Sequence, residues 1–124
     1  MPITEMRFND GILFVREIGR IEKEDAKHFA EMVAHYAANH PTPIGTVIDA
    51  TQVKFITTDA RKVFVRTSLL PKFAFSAIAA EDLVTVQTAR IIGNMAEDGH
   101  SYIFPSLEEA WDFALSRIKS AGVG

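Results

Sequence analysis

The residues Glu5-Met6-Arg7-Phe8 alternate polar with apolar and then meet Asn9-Asp10-Gly11. A period of two marks a strand with one buried face, and Asp-Gly accepts the positive φ angles of a two-residue hairpin turn. The pattern predicts an antiparallel hairpin that continues through Ile12–Ile18 and stops at Gly19. From Glu22 to about Asn39 the apolar spacing lengthens: Ala26, Phe29, Ala30, Val33 and Ala37 make one helical stripe. His40-Pro41-Thr42-Pro43 ends it, because proline has no amide hydrogen to continue the ladder. Gly45-Thr46-Val47-Ile48-Asp49-Ala50 is rich in β-branched residues and reads as a buried strand, followed by a loop over Thr51–Ile56. Thr57 or Thr58 then offers a hydroxyl N-cap for a helix reaching about Leu70, with Asp59 in its first turn and Pro71 behind it.

Phe73–Ala80 is the most apolar stretch and reads as an interior strand. Glu81-Asp82 opens a further helix through about Ala96, Asp98-Gly99 turns, and Ser101–Phe104 is a last short strand. Ser106-Leu107-Glu108-Glu109 has the form of a capping box for a helix Leu107–Lys119. That helix carries Leu107, Ala110, Trp111, Ala114 and Ile118 on one face. Strands alternating with single helices imply right-handed crossovers. The expected class is α/β: a mostly parallel sheet of about five strands, an N-terminal antiparallel hairpin and four helices. With no repeat or linker in view, residues 1–119 read as one domain and residues 120–124 as a frayed tail. In Leu83–Ala96, Val84, Ile91, Ile92 and Met95 share a broad face while Leu83 and Val86 lie elsewhere on the helix. Ordinary burial and cover by a second subunit both account for that spread, and a homodimer is expected from the second.

Composition narrows the functional classes. The 124 residues are 48% hydrophobic and 23% charged, the profile of a globular domain. Cysteine is absent, which removes disulfides, thiol catalysis and cysteine metal sites. The net charge is −3 with lysine and arginine scattered, so no nucleic-acid partner is expected. No apolar run approaches the roughly 18 residues of a membrane span, and Met1-Pro2-Ile3-Thr4-Glu5 does not read as a signal peptide. A cytoplasmic protein without membrane insertion is the expectation.

The familiar catalytic and cofactor signatures are missing. There is no G-x-G-x-x-G after the first strand, no phosphate-binding G-x-x-x-x-G-K-S/T and no G-x-S-x-G elbow, so no cofactor and no enzyme activity are expected. His28 and His35 lie on one helix opposite the Phe29/Val33 stripe, with Glu24 and Glu31 beside them. A solvated polar face explains this strip more simply than a metal site. Asp49 ends a buried strand, a common position for functional groups in α/β proteins. A phosphoacceptor there needs an acidic pair after the first strand and a lysine after a late one. The first strand here runs into a hairpin turn and no lysine follows Phe73–Ala80. Asp49 reads instead as a carboxylate accepting amides of the loop behind it.

The segment Val47-Ile48-Asp49-Ala50-Thr51-Gln52-Val53-Lys54-Phe55-Ile56-Thr57-Thr58-Asp59-Ala60 resembles the signature of STAS domains, the sulfate-transporter and anti-sigma-factor-antagonist family. That signature runs roughly apolar-L-D-L-S-x-V-x-F-I-D-S-S-G and leads into a helix. Asp49, Val53, Phe55 and Ile56 fall in register, and Thr51 stands for serine. The order of elements, Glu24-Asp25 with Phe29 after it, and the closing Leu107-Glu108-Glu109-Ala110-Trp111 are similar to the SpoIIAA-like branch. The resemblance implies a regulatory domain that binds a protein, a kinase or an anti-sigma-like factor, through a surface around Asp49, Thr57, Thr58, Asp59 and Arg61. In the family a kinase phosphorylates the second serine of D-S-S-G; the tetrad here is Thr57-Thr58-Asp59-Ala60, so Asp59 holds that position and Thr58 is the neighbouring hydroxyl. An opposing reading takes Thr57, Thr58 and Asp59 as a plain helix start. An alternative function is a carrier or sensor of a small apolar or lipid-like ligand, in a cavity lined by Phe73, Phe75, Ile91 and Met95.

Overall fold

The computed structural model describes residues 3–70, 72–81, 87 and 101–123. Strands β1 (Ile3–Asn9) and β2 (Ile12–Ile21) form the expected antiparallel hairpin, with Asn9 opposite Ile12. Between them Asp10 has φ 51° and Gly11 φ 82°, the pair of positive angles whose twist matches the strands. Gly19 does not end β2. Its φ of 69° accompanies a slip in register against the next strand, and the chain continues to Ile21. A glycine inside a strand thus marks a bulge here.

Helix α1 (Lys23–Ala38) buries Ala26, Phe29, Val33 and Ala37 as the stripe predicts, and the Glu22 amide donates to Asp25 Oδ2 at 2.8 Å. Strand β3 (Ile44–Ile56) is longer than expected: the supposed loop Thr51–Ile56 is strand. Its second half pairs with the far end of β2, where Gln52, Val53, Phe55 and Ile56 meet Ile18, Gly19, Arg20 and Ile21. Polar residues mask this half, yet Val53 and Ile56 are buried beneath exposed Gln52, Lys54 and Phe55. Helix α2 (Thr58–Ser68), strand β4 (Phe73–Ala79), strand β5 (Ser101–Phe104) and helix α3 (Leu107–Val123) complete the described chain. Helix α3 runs past Lys119, through part of the segment expected to be a loose tail.

The sheet order is β1-β2-β3-β4-β5, antiparallel at the hairpin and parallel thereafter. This is the α/β architecture expected, with three helices among the described residues. The fourth expected helix, through about Ala96, the Asp98-Gly99 turn and the broad apolar face from Leu83 to Met95 lie outside those residues, apart from Glu81 and Gln87. Pro71 and His100 lie outside them as well.

The sheet separates two cores. On one face Leu13, Val15, Ile44, Ile48 and Val53 pack against Phe29 and Val33 of α1 and Val63 of α2. On the other, Ile12, Phe14, Val47, Phe75 and Ala77 meet Ala110 and Ala114 of α3, with Trp111 stacked on Phe14 at 5.5 Å. Gly45 is required by this second core: a Cβ there would overlap the tip of the Phe75 ring.

Candidate functional site

The end of β3 and the start of α2 build an exposed surface. Thr57, extended at φ −66° and ψ 158°, takes the N-cap position, and its hydroxyl accepts the Ala60 amide at 3.2 Å. Of the two threonines offered by the sequence, Thr57 is therefore the cap, and Thr58 and Asp59 stand exposed in the first turn. The Thr57 amide donates to the Ile21 carbonyl at 3.0 Å, tying the helix start to the end of β2. Arg61, one turn on, donates its Nε to the Ile56 carbonyl at 3.1 Å. Phe55 projects beside it, 40% exposed, with the Arg61 guanidinium 5.9 Å from its ring centre and that of Arg20 at 5.0 Å. Arg20 is placed there by register, since it pairs with Phe55 across β2 and β3. Each such contact is worth about 0.5–1 kcal/mol at an exposed site. The result is a cationic rim around an aromatic face.

Asp49 does not belong to this surface. It precedes Thr57 by eight residues, roughly 25 Å of strand at about 3.3 Å per residue. Its Oδ1 accepts the Thr51 amide at 3.1 Å and the Thr51 hydroxyl at 2.7 Å, and its Oδ2 accepts Arg16 Nε at 3.0 Å. Arg16 also donates to Glu5 Oε1 at 2.9 Å, and Glu5 pairs with Arg7 at 3.2 Å. Burial raises the Asp49 carboxyl pKa, but the Thr51 and Arg16 hydrogen bonds outweigh it and hold the group below its ordinary value. The expected amide-accepting role is thus seen, with an arginine added. The set proposed from the sequence splits: Thr57, Thr58, Asp59 and Arg61 lie together and Asp49 lies apart.

A third feature is a cavity of about 50 Å³ between the sheet and helices α1 and α2, lined among others by Glu17, Phe29, Phe64, Phe73 and Ile78. Phe73 lines it as expected, whereas Phe75 packs in the opposite core against Phe113, and Ile91 and Met95 lie outside the described residues. Glu17 was not anticipated. It is 3% exposed, and its Oε2 has no hydrogen-bond partner among the described residues. Burial first, and the charge of Asp25 second, push its carboxyl up to about 7. The signal was present in the alternation Leu13, Val15, Glu17, which places all three on one face of β2.

His28 and His35 are exposed, and among the described residues no group of three or more histidines or carboxylates is placed to hold a metal ion. His40 Nδ1 lies 3.0 Å from the Thr42 carbonyl, and the His40 carbonyl accepts from Lys72 Nζ. No helix among the described residues is long and apolar enough to cross a membrane.

Comparison with solved structures places the fold. A protein of the DUF3478 family from Shewanella loihica, with a SpoIIAA-like fold, superposes at a TM-score of 0.65 with 20% identity, over 90% of this chain and 91% of its own. An anti-sigma factor antagonist from Mycobacterium paratuberculosis gives 0.66 with 23% identity, covering 91% and 94%. The anti-sigma factor antagonist SpoIIAA in its unphosphorylated form gives 0.63 with 7% identity, covering 93% and 96%. The fold is SpoIIAA-like, as the sequence resemblance implied. No family model matches the chain, and no curated protein matches it.

Proposed function

We propose that this SpoIIAA-like chain is a non-catalytic regulatory domain that binds a protein partner through the surface formed by Arg20, Phe55, Thr58, Asp59 and Arg61. The observation that carries the reading is Phe55, a large exposed aromatic with two guanidiniums at 5.0 and 5.9 Å from its ring centre, beside the first turn of α2. An aromatic face rimmed by arginine is the composition of an interface anchor. The fold shared with two anti-sigma factor antagonists supports a partner of the anti-sigma or kinase kind.

Within this reading Asp59 presents a fixed negative charge where the resemblance puts a phosphorylatable serine. The domain is then not switched by phosphate at residue 59, and its partner meets one permanent charge rather than the nearly two of a phosphoserine. Asp59→Ser should change partner affinity and leave the fold intact. The test is a pull-down from the native cells with wild type and Asp59→Ser, together with phosphosite mapping. Identical partner sets, or stoichiometric phosphate on Thr58, would refute the fixed-charge reading. A homodimer remains part of the proposal on the sequence pattern of 83–96 alone; sedimentation at micromolar concentration decides it, and a monomer would remove it.

The alternative of a small-ligand carrier or sensor is favoured by the cavity beneath α1 and α2. About 50 Å³ limits its interior to a small group.

A further inference from the structure

The cavity beneath α1 and α2 has one feature that ordinary packing does not explain. Glu17 points into it from β2 with a buried carboxyl oxygen that no group among the described residues satisfies. A buried polar atom without a partner costs on the order of 1–3 kcal/mol, and such atoms call for a ligand, ion or water. The elements around Glu17 decide which chemistry fits. Asp25 at the start of α1 is the charged group that acts on it. The walls from α1 and α2 supply Phe29 and Phe64, and those from β3, β4 and β5 are uncharged. No cation faces this carboxyl among the described residues lining the cavity.

Glu17 in the lining, with the charge of Asp25 acting on it from outside the lining, makes a site that favours positive charge. An ammonium donates the hydrogen bond that Glu17 Oε2 lacks, and its charge offsets both carboxylates. Phe29 and Phe64, packed together at 5.6 Å between ring centres, offer apolar surface to the carbons of such a ligand. A neutral alcohol supplies the hydrogen bond but leaves the acidic field uncompensated. The interior of about 50 Å³ sets the size. One water needs roughly 10–15 Å³ of such space, so a group of about three or four heavy atoms fits.

We propose that this cavity is a binding site for the ammonium head of a small amine, with Glu17 as the anion that receives it. The amine site is proposed independently of the proposed protein-binding surface at the start of α2, whose side chains do not line the cavity. The ammonium form binds best when Glu17 is ionised, so binding expels a proton from Glu17 in acid solution, and affinity falls as pH drops.

The probe is n-propylamine, with 1-propanol as its neutral counterpart of nearly equal size. The whole chain, labelled at isoleucine methyls and at the glutamate carboxyl carbon, is titrated by NMR. Expected are saturable shifts at Ile48, Ile56 and Ile78 with the amine. The Glu17 carboxyl midpoint should fall by a unit or more when the site is saturated, and affinity should weaken about tenfold per pH unit once Glu17 is protonated. Glu17→Gln, which keeps the shape of the protonated acid, should lower amine affinity at least tenfold. An unmoved Glu17 midpoint in wild type overturns the proposal without any variant. Equal responses to amine and alcohol overturn it too, since they mark a neutral-ligand or water site. Undiminished amine binding by Glu17→Gln does the same.

Discussion

Glu17→Gln gives the sharpest test of how this core is held together. In the unfolded chain the Glu17 carboxyl titrates near 4.5, and in the folded protein burial and the Asp25 charge move it to about 7. Between these values the folded state keeps a proton that the unfolded state has lost, so stability falls as pH rises. The stabilisation is fully present below pH 4.5 and is gone above about 7. At about 1.4 kcal/mol per unit, that gap corresponds to about 3 kcal/mol, and burial leaves no solvent screening to reduce it. Glutamine cannot titrate, so the variant loses this slope. Its amide brings a donor of its own into the cavity, which adds an offset of order 1–3 kcal/mol that is the same at every pH. The quantity to read is therefore the change in ΔΔG with pH, not its value at one pH.

Urea melts of both proteins from pH 4.5 to pH 8.5, analysed at a common m-value, provide it. Other titrating groups cancel in the difference. The variant should gain about 3 kcal/mol on wild type across that range, with the midpoint of the gain between the two pKa values. Parallel curves, differing by less than about 0.5 kcal/mol in their pH dependence, would show that Glu17 ionises freely and that its oxygen is solvated. A gain toward acid would reverse the sign and refute the reasoning outright.

Gly45→Ala should destabilise by about 1–3 kcal/mol or more, because the new methyl overlaps the Phe75 ring; Phe75→Leu in the same chain should recover part of it in urea melts, and no recovery would place the strain elsewhere. Trp111→Ala should cost about 2–3 kcal/mol, less than a fully buried tryptophan, since its ring is only half-buried on Phe14; a loss under about 1 kcal/mol would show that the stack contributes little. Asp49→Asn should lower stability at neutral pH and flatten its decline in acid: a carboxyl held below its ordinary value stabilises above that value, and the benefit is lost as pH falls through the folded pKa. An acid limb unchanged by the substitution would remove Asp49 from the account.

The parts of this fold that were legible from sequence are those in which local pattern and burial coincide. The stripe of α1, the Asp10-Gly11 turn and Ala110 and Ala114 on the last helix follow from spacing alone, because each element buries a single face. The extension of β3 was hidden for the opposite reason. Beyond Ala50 the strand shows Gln52, Lys54 and Phe55 to the outside, so composition resembles a loop while the backbone is held by β2. The same extension makes the candidate surface: without it, Phe55 would not stand in register with Arg20. Resemblance to a family signature pointed to Thr57–Arg61 but could not point to Arg20, which is far away in the chain and adjacent to Phe55 only through sheet pairing.

Arg16 and Glu17 show why the buried charge escaped notice. Read in sequence, they are an acid and a base side by side, a pair that seems to neutralise itself. A strand turns consecutive side chains to opposite faces, so they never meet. Arg16 emerges on the side of Phe14, where it answers Asp49 and Glu5. Glu17 enters the core between the sheet and α1, where the charge that acts on it is another acid, Asp25. The pleat thus divides two buried carboxylates by fate: Asp49 gains a base and is held ionised, and Glu17 loses the same base and keeps its proton up to about pH 7. Moving the register of β2 by one residue would exchange the faces of Arg16 and Glu17, and with them the whole hydrophobic set of β2. The unanswered carboxyl is accordingly a consequence of the same alternation that builds the core.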